Sequence, residues 1–297
     1  MQDDVPHFLR LIGRTPIVRL SRAIESAEIY VKLEYLNPTG SHKDRIAFYM
    51  IRDAEKRDLI KPGDVVVEAS SGNTAISVAW VSSMLGYKAK IFVSEGISPM
   101  KIKLVEALGA EVIKVPESSE KDYEELAREY AEENGFLYLN QSGNEANVKA
   151  HYEATGPELY MQLNGRIDAF VMGVGTGGTI SGVGKYLKER TGGKVKVVAV
   201  LPKKSGTPGR IEGLMSEVIP EIWERYRYLT DEVIKVSYED ALSTMRDLIR
   251  REGILGGLST GANVHAALKV AEEMKDGVVA TIAPDNVLRY PHLLKDL

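Results

Sequence analysis

The stretch "DVVVEASSGNTAISVAWVSSMLGYKAKIFVSE", residues 64–95, decides the fold. Its ends are short β-branched runs, and between them lies a helical pattern bounded by a Ser-Gly-Asn turn and by Gly86. Strand, crossover helix and strand in about thirty residues read as one βαβ unit of a parallel sheet. The rhythm continues through "SPMKIKLVEALGA", "EVIKV" and "EKDYEELAREYAEENG". After a helical stretch near "ANVKAHYEATGPELYMQL" it resumes with "DAFVMGV", a glycine loop, "TISGVGKYLKERTG" and "KVKVVAV". Helices around 238–252 and 260–274 and a last strand, "GVVATIA", complete it. Two α/β halves are predicted, dividing near 143–149, where asparagine and glycine concentrate and no strand pattern is visible.

Composition narrows the function classes. The chain has 297 residues and is 44% hydrophobic, enough to bury a large core. With 38 basic against 42 acidic residues it offers no broad cationic surface, so small molecules are expected as partners rather than nucleic acid or a membrane. No apolar run approaches the roughly 18 residues of a membrane helix, and the acidic start "MQDDVPHF" has no apolar signal core; a cytoplasmic location is expected. There are no cysteines, which excludes disulfides and a thiol nucleophile. The five histidines show no metal-ligand spacing, and no metal is expected.

In open α/β sheets, ligands sit beyond the carboxyl ends of strands. The loop after "AFVMGV" is "GVGTGGTISGVG", in which Gly173, Gly175 and Gly178 form a literal G-x-G-x-x-G. Glycines let backbone N–H groups approach a phosphate, and the following helix adds the positive end of its dipole. A dinucleotide site also needs an acid about 20 positions on, whereas the next strand runs into Leu201, Pro202, Lys203 and Lys204. The hydroxyls of Thr176 and Thr179 suit a compact phosphate monoester; a tight turn with glycine for packing is the alternative. The loop after "VVVEA" holds Ser70, Ser71, Gly72, Asn73 and Thr74. It reads either as a helix N-cap or as a cradle for an amino-acid carboxylate.

In "NPTGSHKDRIAFYM", residues 37–50, Ser41 and Asp44 make a capping box, which leaves Lys43 unexplained. A cation in a first helical turn is opposed by the dipole, which favours the neutral amine that a nucleophile or base requires. Lysine amines form Schiff bases with pyridoxal phosphate, whose phosphate needs a separate cradle. A solvated surface lysine is the alternative.

Taken together, "NPTGSHKDR", "SSGNT", "HYEATGPEL", "GVGTGGT" and "GGLSTGAN" resemble, in order and approximate spacing, the pyridoxal-phosphate-dependent cysteine synthases and cystathionine β-synthases. The resemblance runs from "IGRTPIVRL" to "APDNVLRY". It implies two open, twisted α/β domains of the tryptophan synthase β-like class (fold type II). Residues 36–148 would form a smaller mobile domain with the carboxylate loop and Lys43, and 1–35 plus 149–297 a larger one binding the cofactor phosphate. Lys43 would carry the cofactor, and Gly175, Thr176, Gly177, Gly178 and Thr179 would hold its phosphate. Asn73 would contact the ring hydroxyl and Ser259 the pyridine nitrogen, although a helix N-cap is the plain reading of Ser259. Ser70, Ser71, Asn73, Thr74 and Gln141 would grip the substrate carboxylate. The implied reaction is β-replacement, forming L-cysteine from an activated serine and sulfide through an aminoacrylate, in a homodimer. Cystathionine synthesis, or serine or threonine dehydration, is the near alternative. A nicotinamide-dependent oxidoreductase and a non-catalytic amino-acid sensor are the distant ones.

The chain departs from the family pattern in places. His42 stands where cysteine synthases usually carry a small apolar residue, as in tryptophan synthase β. Ser70 and Ala75 replace threonine and glycine of the commonest carboxylate loop, and Ser142 replaces an aromatic. Between Lys203 and Gly213, "KKSGTPGRIEG" brings Lys203, Lys204 and Arg210 to a usually neutral segment. A solvated loop accounts for these cations; a fork from Arg210 to a second phosphate would instead favour O-phosphoserine over O-acetylserine.

Overall fold

The computed structural model describes residues 6–21, 27–203, 210–215, 218–274 and 276–294. Its strands in chain order are β1 (Ile17–Arg19), β2 (Ala27–Leu33), β3 (Val65–Ala69), β4 (Lys88–Ser94), β5 (Glu111–Val115), β6 (Leu137–Tyr138), β7 (Ala169–Gly173), β8 (Lys196–Pro202), β9 (Glu232–Val236) and β10 (Gly277–Ala283). The chain forms two compact units, one of Met1–Ile12 with Lys43–Asn147 and one of Gly13–His42 with Val148–Leu297. The first junction falls at His42–Lys43 rather than at 36. The reason is local: His42 N–H donates to Pro284 O at 2.9 Å and Ser41 pairs with Asp285, which keeps this stretch with the second unit.

The first unit carries a parallel sheet in the order β5-β4-β3-β6. β3 is buried without alternation from Val66 to Ala69, Glu68 included, because a parallel strand is covered on both faces. On one face Val67, Ala69, Phe92 and Val115 pack against Ala127 and Ala131 of the helix Tyr123–Asn134. That helix starts where Asp122 accepts from the N–H groups of Glu124 and Glu125, an N-cap worth about 1 kcal/mol. From β3 the chain proceeds outward through β4 and β5, then returns to place β6 on the other side of β3. The order reverses between β3 and β6, so the loops after these two strands share the switch point where α/β sheets bind ligands.

The second unit carries the sheet β1-β2-β10-β7-β8-β9, parallel except for the edge pair β1–β2. β10 shows the period of two: Val279 and Ala283 enter the core under the helix Leu258–Glu273, while Val278, Ala280 and Ile282 enter the core under the helix Gly178–Thr191. Here the order reverses between β7 and β10, which puts the glycine loop after β7 at this unit's switch point. Among the described residues no helix is long and apolar enough to cross a membrane.

The helical stretch around 145–162 is interrupted. A π-helical turn, His151–Thr155, separates Glu145–Ala150 from Gly156–Gln162. Pro157 lacks an N–H and its ring crowds the carbonyl four residues back, so the widened turn before it relieves the ladder.

Candidate active site

In the first unit, the loop after β3 and the loop after β6 are tied together. Thr74 Oγ1 donates to Gln141 Oε1 at 2.6 Å, and Gln141 Nε2 donates to Ala69 O at 3.3 Å. The helix Asn73–Leu85 begins after Gly72, and no side chain caps it, so the N-cap reading of the serines and asparagine does not hold. Their hydroxyls shape the loop instead. Ser70 Oγ accepts from Gly72 N–H at 3.2 Å, and Ser71 Oγ accepts from Ser94 N–H at 2.9 Å while bonding Ser94 Oγ at 3.0 Å. An uncapped helix start leaves backbone N–H groups for an anion.

Beneath this loop lies Glu68, fully enclosed. It accepts from Ala69 N–H at 2.8 Å and Gln141 N–H at 3.2 Å, so one carboxyl joins the ends of β3 and the β6 loop. Burial pushes its pKa up to about 8, against the lowering effect of those two bonds; Glu124 adds to the rise and the charge of Lys43 opposes it. Lys43 is half-buried at the first position of the helix Lys43–Lys56, and its neighbour Asp44 accepts from Ser77 Oγ at 2.7 Å.

In the second unit, Gly177 is the cap of the helix Gly178–Thr191 at φ +91°, and no side chain caps that helix either. A Cβ on Gly177 would stand 2.8 Å from the Trp223 backbone, and one on Gly175 would stand 2.6 Å from Gly213 O. Glycine here is required by close approach and by the left-handed backbone. Gly175, Thr176, Gly177, Gly178 and Thr179 thus form a small cradle of N–H groups and hydroxyls at a positive helix end, which fits a phosphate monoester. β8 ends on Pro202 and is followed by Lys203, with no acid there for a ribose. Ser259 is buried in the first turn of Leu258–Glu273, whose cap is Gly257, so the N-cap reading of Ser259 is overturned as well. Gly213 lies close to Ser259, within 3.7 Å of an added Cβ.

Arg210 is exposed and opens the segment 210–215 that runs along this loop; Met215 N–H donates to Val174 O at 2.6 Å. Lys204, with 205–209, lies outside the described residues.

Three residues given no role by the sequence stand in the second unit. Asn263 Oδ1 accepts from Gly173 N–H at 2.8 Å and its Nδ2 donates to Ile282 O at 2.9 Å, stitching the ends of β7 and β10. His151 Nε2 lies 3.1 Å from Thr179 Oγ1, and His42 Nδ1 lies 3.4 Å from the same atom. Both histidines are buried. Asn263 and His151 occur inside "GGLSTGAN" and "HYEATGPEL", so the motifs marked them without saying what they touch.

Comparisons with known proteins find relatives along nearly the whole chain. Residues 8–285 match the family model described as pyridoxal-phosphate dependent enzyme. A cysteine synthase of Staphylococcus aureus (strain Mu50) is 42% identical over 97% of this chain and 96% of its own length. A cystathionine beta-synthase of Apis mellifera is 39% identical over 96% of this chain, which spans 60% of that longer protein. A crystal structure of O-ureido-L-serine synthase superposes with a TM-score of 0.91 at 37% identity, covering 98% of this chain and 95% of the other.

Proposed function

We propose, from the premise that this chain belongs to the family of pyridoxal-phosphate dependent enzymes, that it forms L-cysteine from an activated serine and sulfide by β-replacement. The observation that carries this reading is the pair of cradles at the two switch points. One is a hydroxyl-rich uncapped helix start suited to an amino-acid carboxylate, the other a glycine loop suited to a phosphate. The Staphylococcus aureus relative, matched over nearly its full length, supports the specific reaction.

Pyridoxal phosphate, when bound, supplies the electron sink that makes the substrate α-hydrogen acidic. Lys43 would hold the cofactor through Nζ, and the same amine, once free, would serve as the base for the substrate α-proton. Gly175 to Thr179 would hold the phosphate through N–H groups and the hydroxyls of Thr176 and Thr179. Ser70, Ser71, Asn73, Thr74 and Gln141 would hold the substrate carboxylate, and Asn73 would also contact the ring hydroxyl. Ser259 would offer the ring nitrogen a neutral hydroxyl rather than a carboxylate, a setting that favours loss of the β-substituent over transamination. Arg210 is proposed to select O-phosphoserine over O-acetylserine. Phe8 and Leu11, exposed at 61% and 59%, support a homodimer contact.

The test is the visible spectrum of the purified protein before and after O-acetylserine and O-phosphoserine. A yellow protein whose band moves to longer wavelength, and which releases cysteine when sulfide is added, is expected. A protein that takes up no added pyridoxal phosphate overturns the proposal, and a coloured protein unmoved by either ester redirects it to cystathionine synthesis or dehydration.

A further inference from the structure

Thr179 sits in the first turn of the glycine-loop helix with an imidazole nitrogen of His151 beside its hydroxyl, and the other nitrogen of that ring is 2.9 Å from Thr155 Oγ1. All three side chains are buried, Thr155 completely. A hydroxyl has one proton to give, and a neutral imidazole donates from one nitrogen and accepts at the other. If His151 Nδ1 carried the proton, it would donate to Thr155. The Thr155 hydroxyl proton would then be buried with nowhere to go, because Nδ1 is the partner of this hydroxyl among the described residues. Thr155 therefore donates, the ring proton sits on Nε2, and His151 donates to Thr179 Oγ1. Thr179 is left with its own proton to give.

We infer that Thr155, His151 and Thr179 form a one-way donor relay that commits the Thr179 hydroxyl to the phosphate of the cofactor, which makes His151 and Thr155 positioning residues for that phosphate. The inference rests on the reading of the glycine loop given above. His42 Nδ1 lies at the longer 3.4 Å; as a donor it leaves the Thr179 proton untouched, and as an acceptor it is weaker than a phosphate dianion. The backbone is built to hold the relay in place. A Cβ on Gly182 would run into Val148 O and stand 2.7 Å from His151 Cβ, so only glycine lets the His151 backbone close on this helix. The π-helical turn His151–Thr155 brings the ring and the hydroxyl into register.

The experiment compares pyridoxal phosphate with pyridoxal, which lacks the phosphate, as ligands of the full-length chain freed of cofactor. Wild type, Thr155→Val, His151→Leu and His151→Gln are titrated by absorbance, with the unfolding midpoint of each cofactor-free protein as a fold control. Thr155→Val and His151→Leu are expected to weaken pyridoxal phosphate by about tenfold or more and to leave pyridoxal within about twofold. His151→Gln, whose amide N–H reaches the Nε2 position, is expected to recover most of the loss. In the holoenzyme, the ³¹P resonance should move in the first two variants and stay near wild type in the third, a readout that serves if a variant is unstable without cofactor. Equal losses for both ligands, or unchanged pyridoxal phosphate affinity and ³¹P shift in Thr155→Val, would overturn the relay. Failure of the wild type to bind either ligand would instead overturn the proposed function.

Discussion

Thr74 and Gln141, far apart in the chain, meet at 2.6 Å with the Thr74 hydroxyl donating to the Gln141 side-chain oxygen. The bond fixes which end of the amide is which. Gln141 Nε2 is turned to Ala69 O and retains one further N–H for an anion at the uncapped helix start. Gln141→Ala should raise KM for the amino-acid substrate by about tenfold or more, the worth of one hydrogen bond to a charged group. Thr74→Val should do the same in part by freeing the amide to flip. Steady-state kinetics with unchanged cofactor absorbance would check both.

Lys43→Ala should yield a chain that still binds pyridoxal phosphate through the glycine loop but cannot be covalently labelled with it by borohydride. Mass spectrometry of the reduced protein distinguishes this from wild type, which should carry the label on residue 43. Loss of turnover should be near complete, since attachment and proton removal are assigned to the same amine.

Glu68 predicts a pH dependence of stability. Its carboxyl is held near pKa 8 in the folded protein, against an ordinary value of 4.5. Below about pH 4.5 both folded and unfolded chains are protonated there and nothing is lost. Between these values the unfolded chain releases the proton while the folded one keeps it, so stability falls as pH rises, levelling off above about 8. Glu68→Gln removes this slope but sets an amide NH₂ against one of the two N–H groups the carboxyl accepts, so the variant should be less stable near pH 5. Urea midpoints from pH 5 to 9 should show the two proteins converging as pH rises; parallel curves would refute the assignment.

Gly177→Ala places a Cβ 2.8 Å from the Trp223 backbone at φ +91°. A left-handed alanine alone costs about 1–2 kcal/mol. Both the unfolding midpoint and the cofactor affinity should drop. Gly184→Ala, on the same helix but facing only Val197 side-chain atoms at 3.2 Å, should lose stability modestly and keep the cofactor.

Arg210→Ala should lower kcat/KM for O-phosphoserine relative to O-acetylserine. An unchanged ratio of the two would return Arg210 to the role of a solvated side chain.

The sequence by itself determined the α/β class, because β-branched runs, helical periods and Gly-Ser-Asn turns are local signals that residues 64–95 carry without help from the rest of the chain. It also marked Lys43, the serine loop and the glycine loop, since each pairs an unusual composition with a helix start. Tertiary structure decided the rest. β6 has two residues, too few for a pattern to read, yet it creates the switch point that brings Gln141 to Thr74. Whether Ser259 capped a helix turned on where the cap fell, and it fell on Gly257. His151 and Asn263 were visible as letters in motifs, but their bonds to Thr179 and Gly173 join residues distant in the chain. Periodicity reports which face of an element is buried. It carries no information on which buried polar atom another element will bring within 3 Å, and that is what the packed fold supplies.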